Sequence, residues 1–175
     1  MGLFRRGHGD DEPGGGSRYQ LRQRMLSIGD DYWIEDEQGR RAFRVNGKAL
    51  RVRQTFVLED PDGTEVAKIQ ERKLSVRDKM AIERGGDDLA TVRKALVGIR
   101  DRFSIDVKGG DELHAKGNIV DHEYEIDRDG EPVAVISKRW FRVRDTYGVE
   151  IAPGEDDALV LAIAVCVDAL SDRRK

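Results

Sequence analysis

One stretch decides what this chain can fold into. Residues 154–175 read GEDDALVLAIAVCVDALSDRRK. Ala158 to Val167 is apolar without a break, and Ala169 and Leu170 continue the run after Asp168. No polar stripe recurs at helical spacing. Acids lead (Glu155, Asp156, Asp157) and bases close (Arg173, Arg174, Lys175), an order that complements a helix dipole at both ends. The pattern predicts a helix from about 156 to 171. A helix apolar on every side must be covered all round, by lipid or by protein. Ten unbroken apolar residues reach only ~15 Å at ~1.5 Å per residue, against a bilayer core of ~30 Å. Asp168 is costly in lipid as well. The expected cover is therefore protein.

The rest of the chain supplies that cover with a different period. Tyr19, Leu21 and Met25 alternate with Gln20, Arg22 and Arg24; Phe103, Ile105 and Val107 with Ser104, Asp106 and Lys108; Tyr124 and Ile126 with Glu125 and Asp127. Period two places apolar side chains on one face of a strand and charges on the other. Turn signals recur about every ten residues: Asp36-Glu37-Gln38-Gly39, Asn46-Gly47, Asp60-Pro61-Asp62-Gly63, Gly85-Gly86, Gly109-Gly110 and Asp129-Gly130. On that spacing residues 18–153 hold about twelve short antiparallel strands. The Lys and Arg at outward positions solubilise such a sheet and discourage edge pairing.

The strands are also duplicated. DPDGTEVAKIQERKLSVRDKMAIE at 60–83 aligns with DRDGEPVAVISKRWFRVRDTYGVE at 127–150 with eleven identities, including Val66/Val133, Ile69/Ile136, Arg72/Arg139 and Asp78/Asp145. In each copy the alternation slips by one residue: Ala67 and Ile69 are out of step with Leu74 and Val76, as Ala134 and Ile136 are with Phe141 and Val143. A slip turns the side-chain set over, so a bulge or tight turn is expected near Arg72 and Arg139. Two halves of about six strands each are implied. Side chains just fill an eight-strand barrel, and larger barrels leave a lumen. About twelve strands leave room for one helix of ~10 Å diameter. The expected fold is mainly β: a closed antiparallel barrel of two pseudo-repeated halves enclosing its own C-terminal helix, with no exposed sheet edge.

Composition bounds the rest. Residues 1–17 are glycine-rich and nearly devoid of apolar residues, so a disordered N-terminal tail is expected ahead of a single domain at 18–175. Lys and Arg total 31 and Asp and Glu 34, a net charge of −3, which argues against a nucleic-acid partner by bulk charge. The single cysteine, Cys166, forms no internal disulfide and is expected in the core as a small hydrophobe. With one cysteine and no signal-peptide pattern at the start, a reduced, cytoplasmic location is expected.

Several segments resemble the LURP-one-related family: Ile28-Gly29-Asp30-Asp31-Tyr32-Trp33-Ile34, the KLSVRDKM stretch at Lys73–Met80, Gly117-Asn118 and the closing helix. The resemblance spans about residues 18–172. It implies the tubby C-terminal-like fold, a twelve-strand barrel around a hydrophobic helix, and kinship with the phospholipid scramblases. It also implies a link to membranes or anionic headgroups, and no defined reaction. The scramblase relatives carry a palmitoylated cysteine cluster and a membrane-inserting helix. This chain has neither a cluster nor a helix of spanning length, so scrambling itself is not expected.

No nucleophile elbow, phosphate loop or dinucleotide fingerprint is present. His8, His114 and His122 with one cysteine make no zinc-spaced set; His114 and His122 read as surface strand residues. Asp60-x-Asp62-Gly63 and Asp127-x-Asp129-Gly130 open like calcium loops but lack the later ligands, and read as hairpin turns. No cofactor and no metal are expected. The sharpest feature is Lys138-Arg139-Trp140-Phe141-Arg142-Val143-Arg144. On a strand, Lys138, Trp140, Arg142 and Arg144 share a face, with Lys73 and Arg77 as repeat-mates. A basic strip with an exposed aromatic suits a phosphate or lipid headgroup, although nearby acids also account for it by pairing. The leading expectation is a monomeric, non-enzymatic module that binds anionic phospholipid or phosphorylated ligands at the membrane periphery through these residues and Arg139. A second reading is a protein-interaction scaffold with no lipid role. A third is an enzyme of unknown reaction at a barrel mouth.

Overall fold

The computed structural model describes residues 15–22, 31–50, 53–72, 79–95, 102–119, 121–140 and 146–171, with the backbone alone at Arg22, at 48–50 and at 53–54. The strands are β1 (Ser17–Arg22), β2 (Tyr32–Asp36), β3 (Arg41–Leu50), β4 (Arg53–Glu59), β5 (Glu65–Glu71), β6 (Lys79–Arg84), β7 (Asp87–Lys94), β8 (Arg102–Val107), β9 (Glu112–Asn118), β10 (Glu123–Arg128), β11 (Glu131–Ser137) and β12 (Thr146–Ile151). One helix, α1 (Asp157–Ser171), follows. Each strand pairs antiparallel with the next, and β1 pairs with β12 to close the barrel.

Alternation turns one face of each strand into the barrel. Leu21, Ile34, Ile69, Ile105 and Val149 point inward and are sealed from solvent. They meet α1, whose residues Leu159 to Val167 are buried on every side. This is the cover that an all-round apolar helix demands, and Cys166 sits within it.

Five of the turn signals lie at hairpin turns. At Asp60, for example, the carboxylate accepts the N–H groups of Asp62 at 3.0 Å and Thr64 at 2.9 Å. Gly63 takes a φ of +85°. That left-handed geometry favours glycine, and the aspartate is used in an Asx turn. Asn46-Gly47 is different. Both residues lie inside β3, opposite Val57 and Phe56 of β4. Turning there would strand the remaining backbone of a ten-residue strand, so the ladder prevails over the local preference.

The repeat is written into the ladder. Lys68 faces Glu83 and Ile69 faces Ile82 across β5 and β6. Their mates, Val135 with Glu150 and Ile136 with Val149, face each other across β11 and β12. The same register thus recurs six strands later. Near Arg72 and Arg139, where a bulge or tight turn is expected, the strand ends in each copy, and Leu74, Val76, Phe141 and Val143 lie outside the described residues. β5 stops at Glu71, where Arg72 N–H donates to the Lys79 carbonyl at 3.1 Å, and β11 stops at Ser137.

Candidate functional site

Because the strands alternate in direction, the barrel has two chemically distinct ends. At one, tight hairpins lead from each even strand to the next odd one, and the β12–α1 connection lies with them. The helix starts there, so this is the tight-turn end. At the other, where α1 finishes, odd strands lead to even ones. The connections at this helix-exit end contain ten Lys and Arg against six Asp and Glu, counting residues between successive strands. Those at the tight-turn end contain two against five, or two against seven with the β12–α1 connection included. In the sequence, the connections from odd to even strands are thus richer in bases and those from even to odd strands richer in acids, and seven of the ten bases lie outside the described residues.

The basic segment singled out by sequence leaves the helix-exit end. Lys138, Arg139 and Trp140 do not continue a strand; they form a bend and turn after β11. The cause is local. Glu123 at the start of β10 accepts from Ser137 Oγ at 2.9 Å and from the Lys138 N–H at 3.0 Å. Arg139 N–H in turn donates to Ser137 Oγ at 3.1 Å. This knot pulls the chain out of the ladder, so the alternation that would have put Lys138 and Trp140 on one strand face does not apply. The Arg139 guanidinium stands 3.8 Å from Glu123, with its side chain 84% exposed. Trp140 is the exposed large hydrophobic residue of the described part, and Arg18 lies over its ring at 5.6 Å. Arg142, Arg144, Lys73 and Arg77 lie outside the described residues. β5 and β11, which lead into the two repeat-mated segments, end on opposite sides of the same mouth.

Elsewhere on the outer wall, many cations are neutralised across strands. Arg72 bonds Glu83 at 2.9 Å, Arg93 lies 3.0 Å from Asp106, and Arg44 bonds Asp31. Lys116 stands 3.0 Å from Asp127. Burial alone would raise the Asp127 carboxyl, but the bond from Lys116 and the Gly130 N–H at 2.8 Å outweigh it and hold it below the usual range. His114 stands exposed on the outer side of β9 beside Glu112, as a surface strand residue should.

His122 does not. It lies in the β9–β10 turn with a φ of +52° and is buried, not exposed. Its ring stacks on Tyr147 at 4.3 Å, and its Nε2 lies 3.1 Å from Asp168 Oδ1. Tyr147 Oη donates to Asp168 Oδ2 at 2.5 Å. Tyr32 and Tyr124 feel the same carboxylate, and burial first, then Asp168, pushes both hydroxyls well above the ordinary tyrosine range. Sequence patterning passed over this cluster because its members come from β2, the β9–β10 turn, β10, β12 and α1. The available signal was Asp168 itself: a lone charge in an apolar run needs a partner wherever the run is buried.

Gly117 and Asn118 shape the turn that delivers His122. Gly117 has a φ of +140°, and a Cβ there would meet the Glu123 carbonyl oxygen at 2.7 Å. Asn118 holds Asp121 through Nδ2 to Oδ2 at 2.7 Å. At the tight-turn end the leading acids of α1 are tied to the wall. Arg84 chelates Asp156 at 2.7 and 3.1 Å, Arg128 chelates Glu155 at 2.7 and 3.0 Å, and Tyr19 donates to Asp157 at 2.6 Å. Asp156 Oδ1 also caps the helix by accepting the Leu159 N–H at 3.1 Å.

No described helix is long and apolar enough to cross a membrane. No curated protein matches the sequence. A crystal structure of a protein from Arabidopsis thaliana superposes with a TM-score of 0.66 over 93% of each chain at 19% identity, a likeness of fold. The family model described as LURP-one-related matches residues 17–168. A sequence match over that span, on a closed twelve-strand barrel threaded by its own helix, means that the chain belongs to the LURP-one-related family.

Proposed function

We propose that this protein is a non-enzymatic module that engages anionic phosphate-bearing ligands, in the first instance phospholipid headgroups at a membrane surface, through the basic helix-exit end of the barrel. The observation that carries this is the segregation of charge: bases outnumber acids in the connections at that end and acids outnumber bases at the other. A dipolar barrel approaches an anionic surface basic end first, and each Lys or Arg near such a surface contributes ~1 kcal/mol. Lys138, Arg139, Trp140, Arg142 and Arg144 form one arm of the interface and Lys73 and Arg77 the other. Arg139 supports the reading, since its side chain is 84% exposed and its contact with Glu123 is long at 3.8 Å. A peripheral, cytoplasmic position fits this chemistry, as does kinship with scramblase-like proteins.

Co-sedimentation of the full chain with vesicles tests the proposal. Binding is expected to vesicles containing an anionic phospholipid and not to neutral ones. The double variant Arg142→Glu/Arg144→Glu should lose most of it while keeping the wild-type Tm. Equal binding by wild type and variant would remove the reading, and so would indifference to lipid charge. A protein partner captured at one-to-one stoichiometry with no lipid dependence would favour a scaffold.

A further inference from the structure

The cluster at the inner end of α1 holds three buried polar atoms that no described residue satisfies. Both oxygens of Asp168 are engaged, Oδ2 by Tyr147 at 2.5 Å and Oδ1 by His122 Nε2 at 3.1 Å. Tyr32 Oη, Tyr124 Oη and His122 Nδ1 are buried and have no hydrogen-bond partner among the described residues. Tyr124 is only 4% exposed and His122 only 9%. The buried core around them is otherwise built of apolar side chains. Buried hydroxyls and imidazole nitrogens are almost always satisfied, by protein or by an ordered small molecule.

We propose that Tyr32, Tyr124 and His122 form an internal binding site for a small neutral hydrogen-bonding molecule, filled by one water in the resting protein. The chemistry selects a water-like ligand. Two phenols supply O–H donors, which burial keeps protonated. His122 turns Nε2 to Asp168 and leaves Nδ1 as the ring nitrogen open to the same molecule. Water accepts from both phenols and pairs with Nδ1, which completes all three. An anion would sit in the field of the buried Asp168 carboxylate. The bound molecule would cross-link the starts of β2 and β10 to the β9–β10 turn, beside the point where Tyr147 and His122 hold α1. This site stands apart from the anion reading and does not depend on it.

The sign of a stability change tests it. Tyr32→Phe and Tyr124→Phe keep each ring and remove only the hydroxyl. If the site is filled, each variant breaks a bond and leaves the bound molecule short of a partner. Tm should then fall by about 2–4 °C in calorimetry of the full chain. The double variant should fall by less than the sum, because both hydroxyls act on one molecule. If the site is empty, removing an unpaired buried hydroxyl leaves Tm unchanged or raises it, and that result overturns the proposal. A high-resolution crystal structure gives a second readout. A density peak within hydrogen-bond distance of both hydroxyls supports the site, and bare space there overturns it.

Discussion

Asp127 shows how one carboxylate links hairpin geometry to pH. It is 3% exposed, bonded by Lys116 and by the Gly130 N–H, and held below its ordinary range. A carboxyl lowered in the fold stabilises fully above its unfolded value near ~3.9, and that contribution is lost as pH falls through the folded value. Asp156 behaves alike: burial would raise it, but Arg84 and the Leu159 and Ala158 N–H groups lower it. Stability should therefore fall below about pH 4. Asp127→Asn should lower it by ~1–3 kcal/mol at pH 7 and shallow the acid limb, measured by urea unfolding across pH. An unchanged acid limb would mean that Asp127 plays no part in it. Gly117 makes a steric demand instead. An alanine Cβ would lie 2.7 Å from the Glu123 carbonyl oxygen and 2.8 Å from Tyr124 Cα, at a φ that L-residues rarely adopt. Gly117→Ala should cost ~2 kcal/mol or more. Gly130→Ala, also at positive φ but with open space around it, should cost less. Equal losses in the two variants would sink the packing argument. The Gly117-Asn118 pair was legible as a motif, but its purpose was not, since the close approach of β10 has no sequence signature.

At the scale of elements, α1 and the wall hold each other. The helix presents Leu, Val, Ile and Ala in every direction, and its covering residues come from all round the ring, with β5, β6 and β7 nearest. Its N-terminus is fixed by Asp156, which both caps the helix and chelates Arg84. Its C-terminal turn carries Asp168 where the dipole would favour a base, and the described part of the helix has no basic residue there. Tyr147 and His122 answer that charge from the wall. Leu161 is fully buried on the helix. Leu161→Ala should lower unfolding stability by ~2–5 kcal/mol, because the surrounding wall closes only partly around the void. A loss well under ~1 kcal/mol in denaturant titration would show that the helix is not the packed centre of the barrel. The helix and its burial were legible from its apolar run. The break after β11 was not, because the Glu123–Ser137 knot joins residues fourteen apart whose side chains follow no period.

For the molecule as a whole, the closed barrel followed from two observations that need no coordinates: strand-length alternation in duplicate, and one helix that solvent cannot tolerate. The equal registers of β5–β6 and β11–β12 are the three-dimensional form of the eleven shared residues. What sequence order concealed was the division of charge between the two kinds of connection. Acids and bases are mixed along the chain and separate only when alternate connections are sorted to opposite ends. On the proposed lipid-binding function, that separation sets a salt signature for binding to vesicles. Screening lengths shrink from ~10 Å at ~0.1 M salt to ~3 Å at ~1 M. Attraction between the basic end and an anionic vesicle should thus weaken steeply as NaCl is raised across that range. Binding led by insertion of Trp140 would weaken little, because apolar burial is not screened. Arg139→Glu should reduce binding at low salt and converge with wild type at high salt, while Trp140→Ala should leave the salt slope unchanged. Binding by the wild type that is indifferent to salt would mean that the charge asymmetry of the barrel does not drive the encounter.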